Sequence, residues 1–477
     1  MWFKRISLLA GPALAAIIAL GLNIPDAPHA ATMLGLALWM SLWWISECLP
    51  IAATALIPLA MFPLCGIATG HDIAPRYANS IIFLFIGGFL IAQGMERSGL
   101  HKRIALELLA RLHGSPLQLA LGFSLVTALL SMWISNTATT MLMVTIALPM
   151  LKRLIEEHGE RMIMPMATSF MLIIAYSANI GGMGTPVGTA PNLVFLENMR
   201  LHAPEHTPSF LQWMLVGLPT VAAGLLVLFL WQAPTLIRIP WRASDAASLD
   251  QARRALGAMS RAEKHVAWIL ALTAQLWMTR KGIGDVPGWS ALLPYRGVDD
   301  GTVAMFMAML LFLLKNEHGA PILAADAVRR LPWDIVLLLG GGFALAYGMQ
   351  QSGLSAWLGA QMSAFGAMPV FLIMLCVALL ITMLTEITSN TATTQVVLPI
   401  LAAGALGNGL DPVLLLLPAT LSASCAFMLP AATPPNAIVF GSGFIHVRDM
   451  AKAGLRMNLS MALAITLLVW LLRPMLP

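Results

Sequence analysis

Charge is scarce in this chain of 477 residues: Asp, Glu, Lys and Arg make up only 10% of it, against 58% hydrophobic residues. Soluble proteins carry about a quarter charged residues, so a water-solvated globule is excluded. Apolar runs of helix-spanning length recur throughout, and mean hydropathy is +0.81, which places the chain in a lipid bilayer. The net charge of +5 sits in short connecting loops, which excludes a nucleic-acid surface. The four cysteines, Cys48, Cys65, Cys376 and Cys425, all fall in apolar segments without metal-ligand spacing and read as small packing residues. A Gly-rich phosphate loop, HExxH and GxSxG are all missing.

What is present is a six-residue string that occurs twice. Ser135 to Thr140 reads SNTATT, and Ser389 to Thr394 reads it again, 254 positions later. Gly87 to Leu100 resembles Gly341 to Leu354 at the same offset. Downstream, Thr189-Ala190-Pro191-Asn192 matches Thr433-Pro434-Pro435-Asn436 at an offset of 244. Two halves of one chain carry the same parts in the same order, the signature of a transporter built from structural repeats, with its site where the halves meet.

The expected fold is all-α and polytopic, with eleven spanning helices and two re-entrant helical hairpins. Spans are expected at 7–24, 30–47, 51–68, 80–97, 165–195, 209–235, 266–279, 300–315, 333–351, 412–440 and 453–473. An amphipathic stretch, 100–113, suits the membrane interface. The hairpins are 116–150 and 367–404, and 237–264, with Arg238, Arg242, Arg253, Arg254, Arg261 and Lys264, is a polar linker. The first thirty residues read as an uncleaved helix, because Pro28 gives a poor cleavage context before Ala30. With the N-terminus in the cytoplasm and the C-terminus outside, the outer segments collect only Arg76, Arg200, Arg280, Lys281, Arg296 and Arg473 of the 27 basic residues. The first hairpin has basic flanks, whereas 335–410 contains no Lys or Arg. The first hairpin therefore enters from the cytoplasm and the second from outside, an inverted repeat.

A run of about 35 residues such as 116–150 is short of the roughly 40 that two full spans need. A hairpin needs fewer and sets its polar string at the tip. Ser and Asn are N-cap residues, so the second limb should begin at the string. Its N–H groups and positive dipole end would then face an anion, and the carbonyls ending the first limb would face a cation. The Gly- and Pro-rich stretch Gly184 to Asn192, and Ala432 to Asn436 in the second half, should unwind there. Unwound backbone at membrane depth is tolerated where it lines a site. Neither motif offers Lys or Arg, so a dianion held there needs bound cations to offset its charge. Oxygen clusters without Cys or His suit a hard cation such as Na⁺.

A single Ser-Asn-Thr in a membrane helix ordinarily serves inter-helix hydrogen bonding; two copies at matching repeat positions favour a site. Glu386 is the only acid between Asp334 and Asp411, and its repeat partner is Met132. A cation site, an aqueous vestibule and a helix cap are all open to it. Glu47 marks a helix end at the inner interface. His71, His101 and His113 are loop or interfacial residues, and the 31 methionines are mainly packing. An intramembrane hydrolase needs a nucleophile with a base, or a metal cluster. No His or Asp lies near either SNT, so a membrane-embedded enzyme or receptor is disfavoured.

The paired SNT and Thr-x-Pro-Asn motifs, together with Trp43-Trp44-Ile45-Ser46-Glu47 to Pro50 and Ser424-Cys425-Ala426-Phe427 to Pro430, resemble the divalent anion:sodium symporter family over essentially the whole chain. That resemblance implies a homodimer with an elevator mechanism. It divides the chain into first-half scaffold (1–113), first-half transport elements (114–236), cytoplasmic linker (237–264), second-half scaffold (265–366) and second-half transport elements (367–477). It implies two sodium sites, one of Ser131, Ser135, Asn136 and Gly188, the other of Thr385, Ser389, Asn390 and Ala432. Substrate carboxylates would meet Asn136, Thr137, Asn390 and Thr391, with Thr189, Thr433 and Pro434 nearby. Related exchangers swap dicarboxylates without sodium, and their SNT motifs can be continued by basic residues. Here both copies continue Ala-Thr-Thr, which favours symport. A C4-dicarboxylate such as succinate, malate or fumarate fits two polar tips, with citrate, tartrate and sulfate still open. A bacterial inner membrane is the expected location.

Overall fold

A computed structural model describes residues 2–112, 114–236, 247–282, 286–295, 297–362 and 368–475. Arg238, Arg242, His113 and Arg296 of the expected loops lie outside the described residues.

The first half opens with α1 (Trp2–Gly21) and α2 (Ala30–Ser46). They approach so closely that a Cβ on Gly35 would sit 2.7 Å from the Ala15 carbonyl oxygen. The helix expected at 51–68 is two pieces, α3 (Ile51–Thr54) and α4 (Ile57–Leu64). The Ala55 carbonyl accepts the Tyr77 hydroxyl instead of a helical N–H, and Pro58 has no N–H with which to carry the ladder through. Then follow α5 (Gly70–Ile73), α6 (Ser80–Ser98) and α7 (Leu100–Leu109). The hairpin is α8 (Pro116–Ser131) and α9 (Asn136–His158); α10 (Glu160–Gly181) and α11 (Ala190–His202) come next, then α12 (Phe210–Leu236).

The polar segment 237–264 is not loop throughout: it holds α13 (Ala247–Ala255), and α14 (Arg261–Arg280) already begins within it. A capping box between Ser260 and Glu263 starts α14 there. The second half continues with α15 (Asp300–Leu313), α16 (Ala325–Arg329), α17 (Trp333–Gln351) and α18 (Leu354–Gln361). The second hairpin is α19 (Val370–Thr385) and α20 (Asn390–Gly407), followed by α21 (Val413–Ala423), α22 (Pro434–Phe440) and α23 (Val447–Leu472).

The architecture is all-α, as the composition demands. Among the described residues six helices are long and apolar enough to cross a bilayer alone, and several apolar helices of 10–17 residues accompany them. The first limbs of both hairpins, α8 and α19, have 16 residues each, short of the roughly 20 of a full span. They turn back instead of crossing. The repeat is visible in the backbone. Gly99 ends α6 at φ 78°, ψ 5°, and Gly353 separates α17 from α18 at φ 78°, ψ 0°. This left-handed geometry suits glycine. The preceding Ser98 and Ser352 make the same pair of contacts, to Met95 O and Leu100 N and to Met349 O and Leu354 N.

The core centres on α10, which is buried on all sides from Met166 to Gly181 apart from Thr168. A helix apolar all round can only lie inside, and α10 packs against both limbs of the first hairpin, α12 and α22. Its polar side chains Ser177 and Asn179 therefore face protein or cavity, not lipid.

Candidate functional site

Both hairpins break at the repeated string. Helix α8 ends at Ser131 and α9 begins at Asn136; α19 ends at Thr385 and α20 begins at Asn390. Ser135 and Ser389 are the N-caps, both extended (φ −60°, ψ 143° and φ −66°, ψ 130°). Ser135 accepts the Ala138 N–H at 3.2 Å, whereas the Ser389 side chain makes no cap bond. Each string thus starts a helix at the hairpin tip, as its residue types require.

The helices facing them unwind where Gly and Pro accumulate. Between α10 and α11 the chain passes through Gly182–Gly184 and an irregular stretch to Thr189. Between α21 and α22 it is irregular from Ser424 to Thr433. One asparagine per half pins the break. The Asn192 amide donates to the Gly182 and Thr185 carbonyls at 3.0 and 2.8 Å. The Asn436 amide donates to the Ala426 and Leu429 carbonyls, both at 3.0 Å. Apart from the asparagines, the Thr185 and Leu429 carbonyls accept only a turn N–H, from Gly188 and Ala432, and a buried carbonyl left without a donor costs about 1–3 kcal/mol. Gly188 is tight against this segment: a Cβ there would run into the Gly182 carbonyl.

The two tips and the two breaks meet around one cavity of about 620 Å³. Ser135, Asn136, Thr137, Gly188, Thr189, Ser389, Asn390, Thr391, Ala432, Thr433 and Pro434 line it. Ser131 and Thr385 lie one layer behind, fully buried. The thirteen residues expected from sequence therefore form one constellation. Among the described residues no Lys, Arg or His lines the cavity, and the two charged ones that do, Glu47 and Glu386, are both acids.

Ser131 and Thr385 create matching oxygen clusters. The Ser131 hydroxyl lies 2.5 Å from Asn136 Oδ1 and 2.7 Å from the Ala178 carbonyl. The Thr385 hydroxyl lies 2.6 Å from Asn390 Oδ1 and 2.8 Å from the Ala423 carbonyl. One hydroxyl carries one proton, so each triad of oxygens has more acceptors than hydrogens. Such a donor set of hydroxyl, amide and backbone oxygens fits a hard cation. The Ala178 and Ala423 carbonyls were not foreseen, since an alanine carries no sequence signal for its carbonyl. Among the described residues no group of three or more His, Cys, Asp or Glu forms a metal cluster.

Two further residues belong to the site. Asn179, 2% exposed on α10, donates to Thr433 Oγ1 at 3.2 Å and to the Ala426 carbonyl at 3.4 Å. Thr433 Oγ1 also accepts the Asn436 N–H at 3.4 Å. With both lone pairs engaged, the Thr433 O–H is left as a donor for the cavity. Because the Ala178 carbonyl corresponds to that of Ala423, the second half carries Ser424 where the first has Asn179, so a search for duplicated residues passes over it.

Glu386 anchors the second break. Its carboxylate accepts the Phe427, Met428 and Leu429 N–H groups at 2.7, 2.9 and 3.2 Å and the Asn458 amide at 2.7 Å. Charge-assisted bonds of this kind are about twice as strong as neutral ones. Glu47 does end α2, in the left-handed region at φ 46°, ψ 40°, and it also reaches the cavity.

The profile described as "Sodium:sulfate symporter transmembrane region" matches residues 2–476. The chain belongs to this sodium:sulfate symporter family. The sodium-dependent dicarboxylate transporter SdcS of Staphylococcus aureus is 38% identical over 484 residues, covering 99% of this chain and 91% of the relative. As a family member the chain is a membrane transporter, not an enzyme. Two solved structures share the fold. The MtrF structure from Neisseria gonorrhoeae has a TM-score of 0.61 at 13% identity, covering 98% of this chain and 94% of that one. The YdaH transporter of Alcanivorax borkumensis has a TM-score of 0.55 at 12% identity, covering 99% and 98%. In this member of the sodium:sulfate symporter family, the repeated strings are the hairpin tips that close on the central cavity.

Proposed function

We propose that this protein is a secondary active transporter that moves a divalent anion together with Na⁺, with a C4-dicarboxylate such as succinate, malate or fumarate as its substrate. The observation that carries this reading is a cavity of about 620 Å³ between two oxygen-rich hairpin tips, lined among the described residues by two glutamates and no basic side chain. A dianion entering that field is repelled unless cations enter with it. The resemblance to a sodium-dependent dicarboxylate transporter supports the same pairing.

The first sodium would be held by Ser131, Ser135, Asn136 and Gly188, the second by Thr385, Ser389, Asn390 and Ala432. The Asn136 and Asn390 amides, with Thr137, Thr391, Thr189, Thr433 and Pro434, would orient the two carboxylates. We place the protein in a bacterial inner membrane as a homodimer, N-terminus cytoplasmic and C-terminus outside. In an elevator cycle the segments 114–236 and 367–477 move against the scaffold of 1–113 and 265–366, with the linker of 237–264 in the cytoplasm.

Radiolabelled succinate uptake into proteoliposomes tests this, comparing an inward Na⁺ gradient with equimolar K⁺, with and without succinate inside. Symport predicts uptake that needs Na⁺ and no preload. The second reading is a sodium-independent exchanger; uptake that needs preload and ignores Na⁺ would establish it and remove the sodium assignments. If succinate is not taken up, the same assay with citrate, tartrate and sulfate fixes the substrate.

A further inference from the structure

A second large cavity, of about 850 Å³, opens between the start of α10, the end of α12 and the start of α23, and none of its lining residues belongs to either repeated string. In the proposed topology this is the cytoplasmic end. Arg161, Lys452 and Arg456 line it together with Trp231. Among the described residues no carboxylate lies within ion-pair distance of any of these three cations. The one contact that Arg456 makes through its charge is with the Trp231 ring, 5.4 Å from the centroid.

The position of Arg456 makes this arrangement costly. Helix α23 has 26 residues, and Arg456 lies roughly 24 Å from its Leu472 end at 1.5 Å per residue, within the roughly 30 Å thickness of a hydrocarbon core. It is exposed, on the surface that carries Leu455, Leu459, Leu463 and Leu467, also exposed. Across the groove α12 exposes Leu226, Leu230 and Trp231. A cation on a lipid-facing surface is ordinarily paired with an opposite charge, and here no carboxylate among the described residues pairs with it. The acids that also line the cavity, Glu160 and Asp449, stand in the first turns of α10 and α23. There the helix N-termini offset them. Lys452 and Arg456 lie three and seven residues deeper along α23.

We infer that this cavity binds an anionic phospholipid of the inner leaflet, its phosphate between Arg161, Lys452 and Arg456 and its acyl chains along the exposed leucines of α23 and α12. Basic pockets between membrane helices bind such headgroups, and tryptophan favours the same depth. The inference is independent of which ion or anion the central cavity carries.

The test titrates delipidated full-length protein in neutral detergent with phosphatidylglycerol, with phosphatidylcholine of the same chains, and with glycerol 3-phosphate, counting adducts by native mass spectrometry. Phosphatidylglycerol should bind at least tenfold more tightly than phosphatidylcholine. K452Q/R456Q should lose at least tenfold of that affinity, K452R/R456K should retain it, and glycerol 3-phosphate should not displace the lipid. Equal phosphatidylglycerol binding by wild type and K452Q/R456Q would overturn the proposal. Displacement by millimolar glycerol 3-phosphate would also overturn it, in favour of a soluble phosphate ligand. So would dissociation of K452Q/R456Q into monomers with its lipid count unchanged, which would assign the groove to a second copy of the chain.

Discussion

Met132 and Glu386 stand 254 residues apart at the same place in the two halves, and each ties its hairpin turn to the unwound helix opposite. The ties run through different atoms. The Met132 carbonyl accepts the Thr185 hydroxyl at 2.6 Å; the Glu386 carboxylate accepts the Leu429 N–H at 3.2 Å and its two neighbours more closely. Leu429 is the repeat partner of Thr185. Where the first half has a threonine to donate, the second has a leucine, and a side-chain acid on the hairpin makes good the loss.

Glu386→Gln keeps the shape and removes the charge, so one of its two acceptor oxygens becomes an NH₂ facing donors. Hydrogen bonds to charged groups contribute about 1.5–3 kcal/mol each, and a loss of about 2–4 kcal/mol is expected. Thermal unfolding of purified protein should show it equally with and without Na⁺. If stability holds and only the Na⁺ concentration for half-maximal uptake rises, Glu386 is an ion ligand and not an anchor.

Ser131→Ala and Thr385→Val each remove one oxygen from a triad that has too few protons. Under the sodium reading each should raise the half-saturating Na⁺ concentration roughly tenfold, the equivalent of about 1.4 kcal/mol. Succinate affinity at saturating Na⁺ should change less. An unaltered Na⁺ dependence in both variants would remove the triads from the ion path.

Much of this was legible in sequence because a duplicated polar string in an apolar context leaves few alternatives. The hairpins, the second limbs that begin just after Ser135 and Ser389, and the breaks near Asn192 and Asn436 all follow from residue type and spacing. What was hidden depends on tertiary contact. The break at Ala55 rests on a hydroxyl from Tyr77, 22 residues away. The anchoring role of Glu386 rests on N–H groups about 40 residues on. Asn179 is not repeated as an asparagine, since Ser424 takes its place beside the matched Ala423, and the Ala178 and Ala423 carbonyls belong to residues without functional side chains. The start of α14 at Arg261 was masked by the run of basic residues around it, although Ser260 and Glu263 spell its cap.

Asn179→Leu should weaken anion affinity without unfolding the protein. Losing the Asn179 donor frees the Thr433 hydroxyl to rotate away from the cavity. A single neutral hydrogen bond contributes about 1 kcal/mol, so KM for succinate should rise roughly fivefold, with Na⁺ dependence little altered. An unchanged KM would show that Thr433 is not aimed by Asn179.

Arg103 on α7 fastens the connection between the halves. Its guanidinium donates to both Glu263 oxygens, from Nε at 2.7 Å and Nη2 at 3.2 Å; Nη2 is shared with the Leu256 and Ala258 carbonyls, and Nη1 donates to the Gly257 carbonyl. Burial raises the Glu263 carboxyl, but the Arg103 guanidinium and the Ser260 N–H more than reverse this and hold it below the usual range. A depressed folded-state pKa means the stabilisation is complete above the unfolded value of about 4.3 and is lost as pH falls through the lower folded value. Arg103→Met should cost about 2–4 kcal/mol, because it strands a buried carboxylate. Amide exchange across 249–260 should therefore accelerate at neutral pH in the variant. In wild type the same acceleration should appear only below about pH 4. Equal protection in the two proteins at pH 7 would mean that α7 and the start of α14 are held together by their apolar contacts alone.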